Sequence, residues 1–269
     1  MTLKNTLLGA AFGGAALLML GAGAASAGQP AGPPPGPVHP AATPKGHYQD
    51  LDKLPDWGGV WIVAAQRRAA GAPAPEAPAP KGKYKETLET ARAYAAAHNG
   101  EPLRVVNNCT APGVPYIMTV GQYPIEWLFT PGRVTMLAEA WTGQRRIYTD
   151  GRKHIPPEDA ELSFYGDSIG HWEGDTLVVE TINMKPSNQI ATNVFHSDKM
   201  IVRERIHLDP ANPDFMVDEI TVEDVEALEH PFHQTIRYQR RRDLEPLEFI
   251  CAENDRNPLT EGGVAGFVQ

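Results

Sequence analysis

Residues 165–182 constrain the fold most, because they contain the two arms of a β-hairpin. The arms cover residues 168–173 and 176–182, and Gly174-Asp175 between them supplies the positive φ that a two-residue turn needs. Side chains alternate along the second arm in such a way that both of its faces are partly apolar. A hairpin with a tight turn, whose second strand packs on both faces, predicts an antiparallel, all-β domain.

Further strands are predicted on both sides of this hairpin. Turn residues recur at short intervals after Pro115, and this spacing favours a barrel or sandwich built from consecutive hairpins. A first strand opens at Val60, and one helix is predicted over residues 83–98. The other predicted strands cover residues 116–120, 125–130, 134–141, 145–150, 199–208, 215–223 and 232–241. The sequence therefore predicts one antiparallel meander barrel over residues 51–256, followed by a loose tail over 257–269.

The N-terminal residues have the pattern of a secretory signal peptide. Lys4 precedes an apolar run over residues 7–21, and cleavage is predicted after Ala27. Residues 28–50 are rich in Pro, Gly and Ala and are predicted to form a disordered tether. We expect a periplasmic or secreted protein with no integral membrane segment after cleavage, the alternative being an uncleaved N-terminal anchor.

The net charge and the two cysteines limit the partners and the cellular compartment that are expected for this protein. The formal net charge is −9, and a basic patch with interleaved aromatic residues is missing, so nucleic acid is not expected as a partner. Cys109 and Cys251 are predicted to form a disulfide, which closes a loop of about 140 residues and contributes on the order of 4–5 kcal/mol. The alternative for either cysteine is a thiol nucleophile.

Three carboxylates share strand faces with apolar residues and are candidates for burial: Glu139, Glu204 and Asp218. A desolvated carboxylate either has its pKa raised toward the range used in acid–base chemistry or is held by a partner. The candidate partners of Glu204 are Arg145, Arg146 and Arg205. Both interpretations of Glu204 remain open from the sequence.

Residues 145–152 are dense in groups that recognise anions. Arg146, Tyr148 and Asp150 share one strand face, where they either bind a carboxylate or phenolate or lie at a solvated hairpin edge. His196 is either a general base at the barrel mouth or a structural histidine. His230 and His233 are too few for a zinc site, so we predict no metal and no cofactor.

Two resemblances add to this reading. Gly58-Gly59-Val60-Trp61, with Arg237 and Arg240 on the last strand, resembles the Gly-x-Trp opening of lipocalin-like (calycin) barrels. In those barrels the tryptophan packs under a late-strand arginine. The resemblance implies an antiparallel barrel with an interior pocket for a hydrophobic or aromatic small molecule.

The second resemblance extends over most of the chain after residue 55. It lies in residues 56–61, 146–154, 166–179, 196–197, 204–205 and 251–254. In these residues the chain is similar to a large group of secreted, mostly uncharacterised proteobacterial proteins, some from aromatic-degrading sphingomonads. That group has no agreed activity, and the resemblance implies a link to aromatic catabolism.

Together these features predict a periplasmic barrel that binds or acts on an aromatic or hydrophobic compound. If it is an enzyme, the predicted chemistry is that of a cofactor-independent lyase or isomerase, such as loss of formaldehyde or CO₂ from a phenol. The predicted catalytic residues are Arg146 and Tyr148, which hold the anion, and His196 or Glu204, which moves the proton. The predicted ligand-binding residues are Trp127, Glu139, Arg152 and Trp172.

Two other classes of protein remain as alternatives. A carrier would need the pocket and its aromatic side chains but no titrating Glu204 or His196. An envelope structural protein would have a barrel filled with side chains. The only argument from the sequence against this class is the small number of large aromatic residues, eight Phe and five Trp.

Overall fold

Nine strands of this chain, in which buried and exposed side chains alternate, form a closed barrel. The computed structural model describes residues 44–65, 75–103 and 109–251. The barrel strands are β1 (Val60–Val63), β2 (Ile125–Thr130), β3 (Arg133–Ala138), β4 (Gly143–Tyr148), β5 (Asp167–Glu173), β6 (Thr176–Ile182), β9 (Ile201–Asp209), β10 (Asn212–Glu223) and β11 (Phe232–Arg241). The strands β7 (Gln189–Ala191) and β8 (Val194–Phe195) form a separate two-stranded sheet. The predicted β-barrel is therefore confirmed.

The central hairpin forms as predicted. Strands β5 and β6 pair antiparallel up to Glu173 and Thr176, which flank the two-residue turn. Gly174 in that turn has φ 60°, a conformation that glycine adopts without steric cost.

One pair of neighbouring strands departs from the predicted antiparallel meander. Around the barrel the order is β1-β11-β10-β9-β6-β5-β4-β3-β2, and eight of the nine neighbouring pairs are antiparallel. Strands β4 and β5 pair in parallel, with Ile147 opposite Ser168. Parallel neighbours need a long connection, because the chain must return to the end where the first strand began. Residues 149–166 make this return, and we call them the return segment.

The barrel closes where the first and last strands pair. Trp61 on β1 lies opposite Arg240 on β11, whose guanidinium carbon is 4.6 Å from the indole centroid. Arg240 also donates hydrogen bonds to the carbonyl oxygens of Asp56 and Gly58. The tryptophan–arginine packing expected from the calycin resemblance is thus present with Arg240, whereas Arg237 pairs with Asp209.

Both ends of the barrel are covered by side chains or short segments. At one end Trp57 packs edge-on against Trp127 and Trp172, with ring centroids 5.4 and 5.3 Å apart. At the other end residues 116–120, which were predicted as a strand, form a 3-10 helix over Tyr116–Thr119. That prediction was wrong because the backbone N–H groups there bond locally, as Met118 N does to Pro115 O at 3.0 Å, and not to a neighbouring strand.

The helix α1 (Gly82–Ala97) matches the predicted helix to within one residue at each end. It buries Leu88 and Ala91 and contacts β8. None of the helices in residues 44–65, 75–103 and 109–251 is long and apolar enough to cross a membrane.

The predicted disulfide is confirmed, since Cys109 and Cys251 are bonded. The predicted signal peptide with its cleavage after Ala27, most of the predicted tether and the predicted tail over 257–269 lie outside the described residues. The described end of the tether contacts the return segment, because Lys45 N donates to Asp150 Oδ2 at 3.2 Å.

Candidate functional site

A buried ion pair occupies the interior of the barrel. Arg145 on β4 and Glu204 on β9 point inward because each lies on the buried side of its alternating strand, and both side chains are 0 % exposed. The guanidinium binds Glu204 in a two-pronged manner, with Nη1 2.8 Å from Oε1 and Nη2 hydrogen-bonded to Oε2. Of the partners that the sequence left open for Glu204, the fold selects Arg145.

The remaining donors of Arg145 are held by neighbouring interior side chains. Nη2 donates to Thr181 Oγ1 at 2.8 Å, Nε donates to Ser168 Oγ at 3.3 Å, and Nη1 also approaches Met118 Sδ at 3.6 Å. Burial alone would lower the pKa of Arg145, but the charge and hydrogen bonds of Glu204 raise it above its ordinary value. These contacts hold both side chains in place, which suits a structural role better than proton transfer.

Asp218 on β10 lies beside this pair without a partner of its own. Its side chain is buried, and among the described residues neither carboxyl oxygen has a hydrogen-bond partner. Burial raises the pKa of Asp218 well above its usual range, the charge of Glu204 adds to that effect, and Arg145 opposes it. Tyr238 on β11 donates to Met118 O at 2.9 Å, and burial raises the pKa of its phenol as well.

The outer face of β5, β6, β9 and β10 carries a groove of about 670 Å³, which we call the outer groove. A cavity of this size holds a small organic molecule. The apolar part of its lining comes from Ile169 and Gly170 on β5 and from Val178 on β6. Gly151 and Arg152 of the return segment line it as well. The groove exists because β4 and β5 are parallel, so that the return segment runs along this face.

Arg152 lines the outer groove and is held in place by its neighbours. Its Nε and Nη2 bind Asp150 at 2.8 and 2.7 Å, and its guanidinium carbon lies 3.8 Å from the ring centroid of Tyr148. The hydrogen bonds from Arg152 lower the pKa of Asp150 to about 2. Nη1 is buried and has no acceptor in the part of the chain that the structure describes.

The charged residues of the outer groove are mostly paired with one another. Arg203 bridges Glu180 at 2.9 Å and Glu223 at 2.8 Å, and Arg205 binds Glu173 at 2.9 Å. Glu219 faces the groove, and no ion pair joins it to any residue within 44–65, 75–103 or 109–251. Among the described residues, Glu219 is thus a carboxylate of the outer groove that has no ion-pair partner.

A histidine of the return segment lies next to the outer groove. His154 Nδ1 is 3.0 Å from Asp167 Oδ2, and His154 Nε2 is 3.4 Å from Glu180 Oε1. Asp167 also accepts a hydrogen bond from Ile155 N at 2.8 Å, which fixes the backbone of the segment. These contacts hold the wall of the groove in place. No cluster of His, Cys, Asp and Glu able to hold a metal occurs among the described residues.

The fold separates the four residues predicted to be catalytic. Glu204 lies inside the barrel, whereas Arg146 is exposed on the outer face of β4 and donates to Gln144 at 3.2 Å. Tyr148 is half-buried on that same outer face, under Arg152.

His196 is fully buried, and its Nδ1 lies 2.6 Å from Ser197 O. Burial lowers the pKa of His196, so the neutral form is favoured. The structure does not bring these four side chains together around one substrate position.

The four predicted ligand-binding residues are also dispersed. Trp127 and Trp172 belong to the aromatic cluster at one end of the barrel, and Arg152 lines the outer groove. Glu139 was predicted to share a strand face with Leu137 and Trp141, but β3 ends at Ala138. It lies instead in the turn after β3 and accepts a hydrogen bond from Leu247 N at 2.6 Å, which anchors the C-terminal segment.

Sequence reasoning missed several residues of the outer groove. Strand alternation already placed Glu180 opposite Leu177 and Val179, and it would have placed Glu219 on the face opposite Asp218. A carboxylate on the polar face of a strand is usually solvated, so these two residues carried no signal of a functional site in the sequence. No pattern in the sequence indicated that His154 would meet Asp167, because that contact depends on the path of the return segment.

Scans of the chain against protein-family models and against the curated proteins found no match. The fold therefore has to define the class by itself: this is a closed, mixed β-barrel of nine strands, consistent with lipocalin-like barrels.

Proposed function

We propose that this chain is an exported carrier that binds an aromatic or otherwise hydrophobic small molecule in the outer groove without changing it. The observation that carries the proposal is the groove itself, which combines a volume of about 670 Å³, apolar lining from Ile169 and Val178, and the exposed carboxylate of Glu219. An apolar wall with a few polar groups is the usual composition of a small-molecule site.

Binding is better supported than chemistry by the positions of the titratable groups. The lyase or isomerase scheme needs Glu204 or His196 to meet a substrate held by Arg146 and Tyr148. Glu204 is buried and bound on both oxygens by Arg145, while Arg146 lies on the opposite side of the sheet. A general base has to come within hydrogen-bond reach of the proton that it removes.

The disulfide supports the exported location. Structural disulfides persist in oxidising compartments such as the bacterial periplasm, and Cys109–Cys251 ties the C-terminal segment to the region before β2. This agrees with the signal peptide predicted from residues 1–27.

The proposal can be tested with 2-(2-naphthyloxy)ethanol, a fluorescent probe with one aromatic group and acceptor oxygens. Its binding to the purified mature protein is measured by fluorescence anisotropy, and the stoichiometry by titration calorimetry. Val178→Asp places a charge on the apolar wall of the groove, and we expect a loss of affinity of at least about tenfold. Leu128→Asp is the matched control, because Leu128 is an exposed apolar residue on β2 outside the groove.

Mass spectrometry of the recovered probe and of phenolic analogues separates a carrier from an enzyme. We expect the compounds to be recovered unchanged. Absence of saturable binding, or equal effects of Val178→Asp and Leu128→Asp, would contradict the proposed site. A new product mass would contradict the carrier.

A further inference from the structure

A second groove of about 720 Å³ lies on the same outer face of β6 and β9. It is found toward the C-terminal end of β6, where Ile182 and Ile201 are half-buried and contribute apolar surface. Leu162 of the return segment adds a third apolar side chain. We call this cavity the second groove.

The outer and second grooves are both lined by the return segment, and both lie along strand β6. The return segment lines the outer groove at Arg152 and the second groove at Leu162. Along β6, Val178 lines the outer groove and Ile182 lines the second. These two residues are four apart on one strand, which separates them by about 13 Å. The two cavities therefore follow each other along one trough.

The boundary between the grooves is polar. Glu180 lies between Val178 and Ile182 on β6, and it binds Arg203 at 2.9 Å and approaches His154 Nε2 at 3.4 Å. The side chains of Glu180 and Arg203 are 39 % and 44 % exposed, so this row is in contact with solvent. A ligand that extended over Glu180 and Arg203 would cover two charged side chains. It would avoid the cost of desolvating them only if its central part were polar.

We propose that the two grooves are subsites of one site for a bipartite small molecule, in which two apolar groups about 13 Å apart are joined by a polar linker. This inference rests on the proposed function, because it takes the outer groove as the first subsite. The linker lies over Glu180 and Arg203, and the second apolar group packs against Ile182 and Ile201.

The test compares a one-headed and a two-headed probe. The one-headed probe is 2-(2-naphthyloxy)ethanol, and the two-headed probe is diethylene glycol with a 2-naphthyl ether at each end. We expect each chain to bind two equivalents of the first but one equivalent of the second. The two-headed probe should bind at least about 100-fold more tightly, since the second contact becomes intramolecular.

Ile201→Asp should reduce the affinity for the two-headed probe to that for the one-headed probe, and should leave one equivalent of the one-headed probe bound. Leu162→Asp, in the return segment and outside the barrel strands, is the second variant should Ile201→Asp fail to fold. Leu128→Asp is the control and should keep the full gain.

A gain of less than about tenfold in the wild type overturns the inference, as does a gain that persists in the folded groove variant or is equally lost in Leu128→Asp. If the one-headed probe still binds in a manner that depends on Val178, only the bipartite site fails. If the one-headed probe does not bind, the proposed function fails with it.

Discussion

Asp218 is the interior residue whose replacement has the most specific consequence. Its carboxyl group is buried beside the Arg145–Glu204 pair, and neither oxygen has a hydrogen-bond partner within the described part of the chain. Asp218→Asn keeps nearly the same shape but cannot titrate. The substitution therefore isolates the contribution of this proton to stability.

The sign follows from the direction of the pKa shift. Burial raises the pKa of Asp218 in the folded protein, so between the unfolded pKa of about 3.9 and the folded pKa the folded state keeps a proton that the unfolded state has released. The contribution is fully present below the unfolded pKa and is lost as the pH rises through the folded pKa. In this window the free energy of unfolding falls by up to about 1.4 kcal/mol per pH unit.

Other groups also affect the pH dependence, so two proteins have to be compared. Burial lowers the pKa of His196, and its contribution is lost as the pH falls, opposite in sign to that of Asp218. Subtracting the wild-type curve from the Asp218→Asn curve removes the contribution of His196. For a chain of this size, 1.4 kcal/mol corresponds to a shift in Tm of about 3–6 °C.

The assay is guanidinium unfolding followed by tryptophan fluorescence at pH 5, 6 and 7, with Glu226→Gln as the control. Glu226 is exposed, and its charge is not among the causes of the raised Asp218 pKa, so its replacement should leave the pH dependence unchanged. We expect the variant to gain stability relative to the wild type as the pH rises. Parallel curves for the wild type and Asp218→Asn over this range would refute the argument, whatever the constant difference between them.

Two further predictions concern the interior pair and the disulfide. Arg145→Met leaves the buried carboxylate of Glu204 without a cation and should cost about 3–5 kcal/mol in denaturant unfolding at neutral pH, whereas Arg145→Met with Glu204→Met should recover part of that loss; a fully additive double mutant would show that the pair is not coupled. Cys109→Ser removes a bond that joins residues 142 apart in the sequence, which in the chain-entropy model lowers stability by about 5 kcal/mol. Cys251→Ser should give the same loss, and a loss confined to one of the two serine variants would show that it comes from something other than the disulfide.

Much of the barrel could be predicted from local patterns. The turn at Gly174 and the alternation of β6 fixed the central hairpin, and alternation in β9 placed Glu204 inside. Alternation works because a strand with one buried face has only one register that buries its apolar side chains. The choice of Arg145 over Arg205 as the partner of Glu204 needed the pairing of strands, which alternation within one strand does not specify.

The site could not be predicted in the same way, because it depends on one strand pairing. A run of short strands predicts consecutive antiparallel hairpins, and nothing in residues 149–166 indicates that β5 turns back to lie parallel to β4. The contact of His154 with Asp167 and the position of Arg152 beside Val178 follow only from that path. The parallel pairing of β5 with β4, and not a sequence motif, decides where the groove lies.

The interior and the outer face have different roles in our proposal. Inside, Arg145 and Glu204 bind each other and link strands β4 and β9. Outside, Glu219 faces the outer groove and has no ion-pair partner within the described residues, and the return segment lines the same groove. A site whose supporting groups are fixed loses little conformational freedom when a ligand binds. In the proposed carrier, Glu204 is therefore part of the structure behind the groove and not a catalytic acid or base.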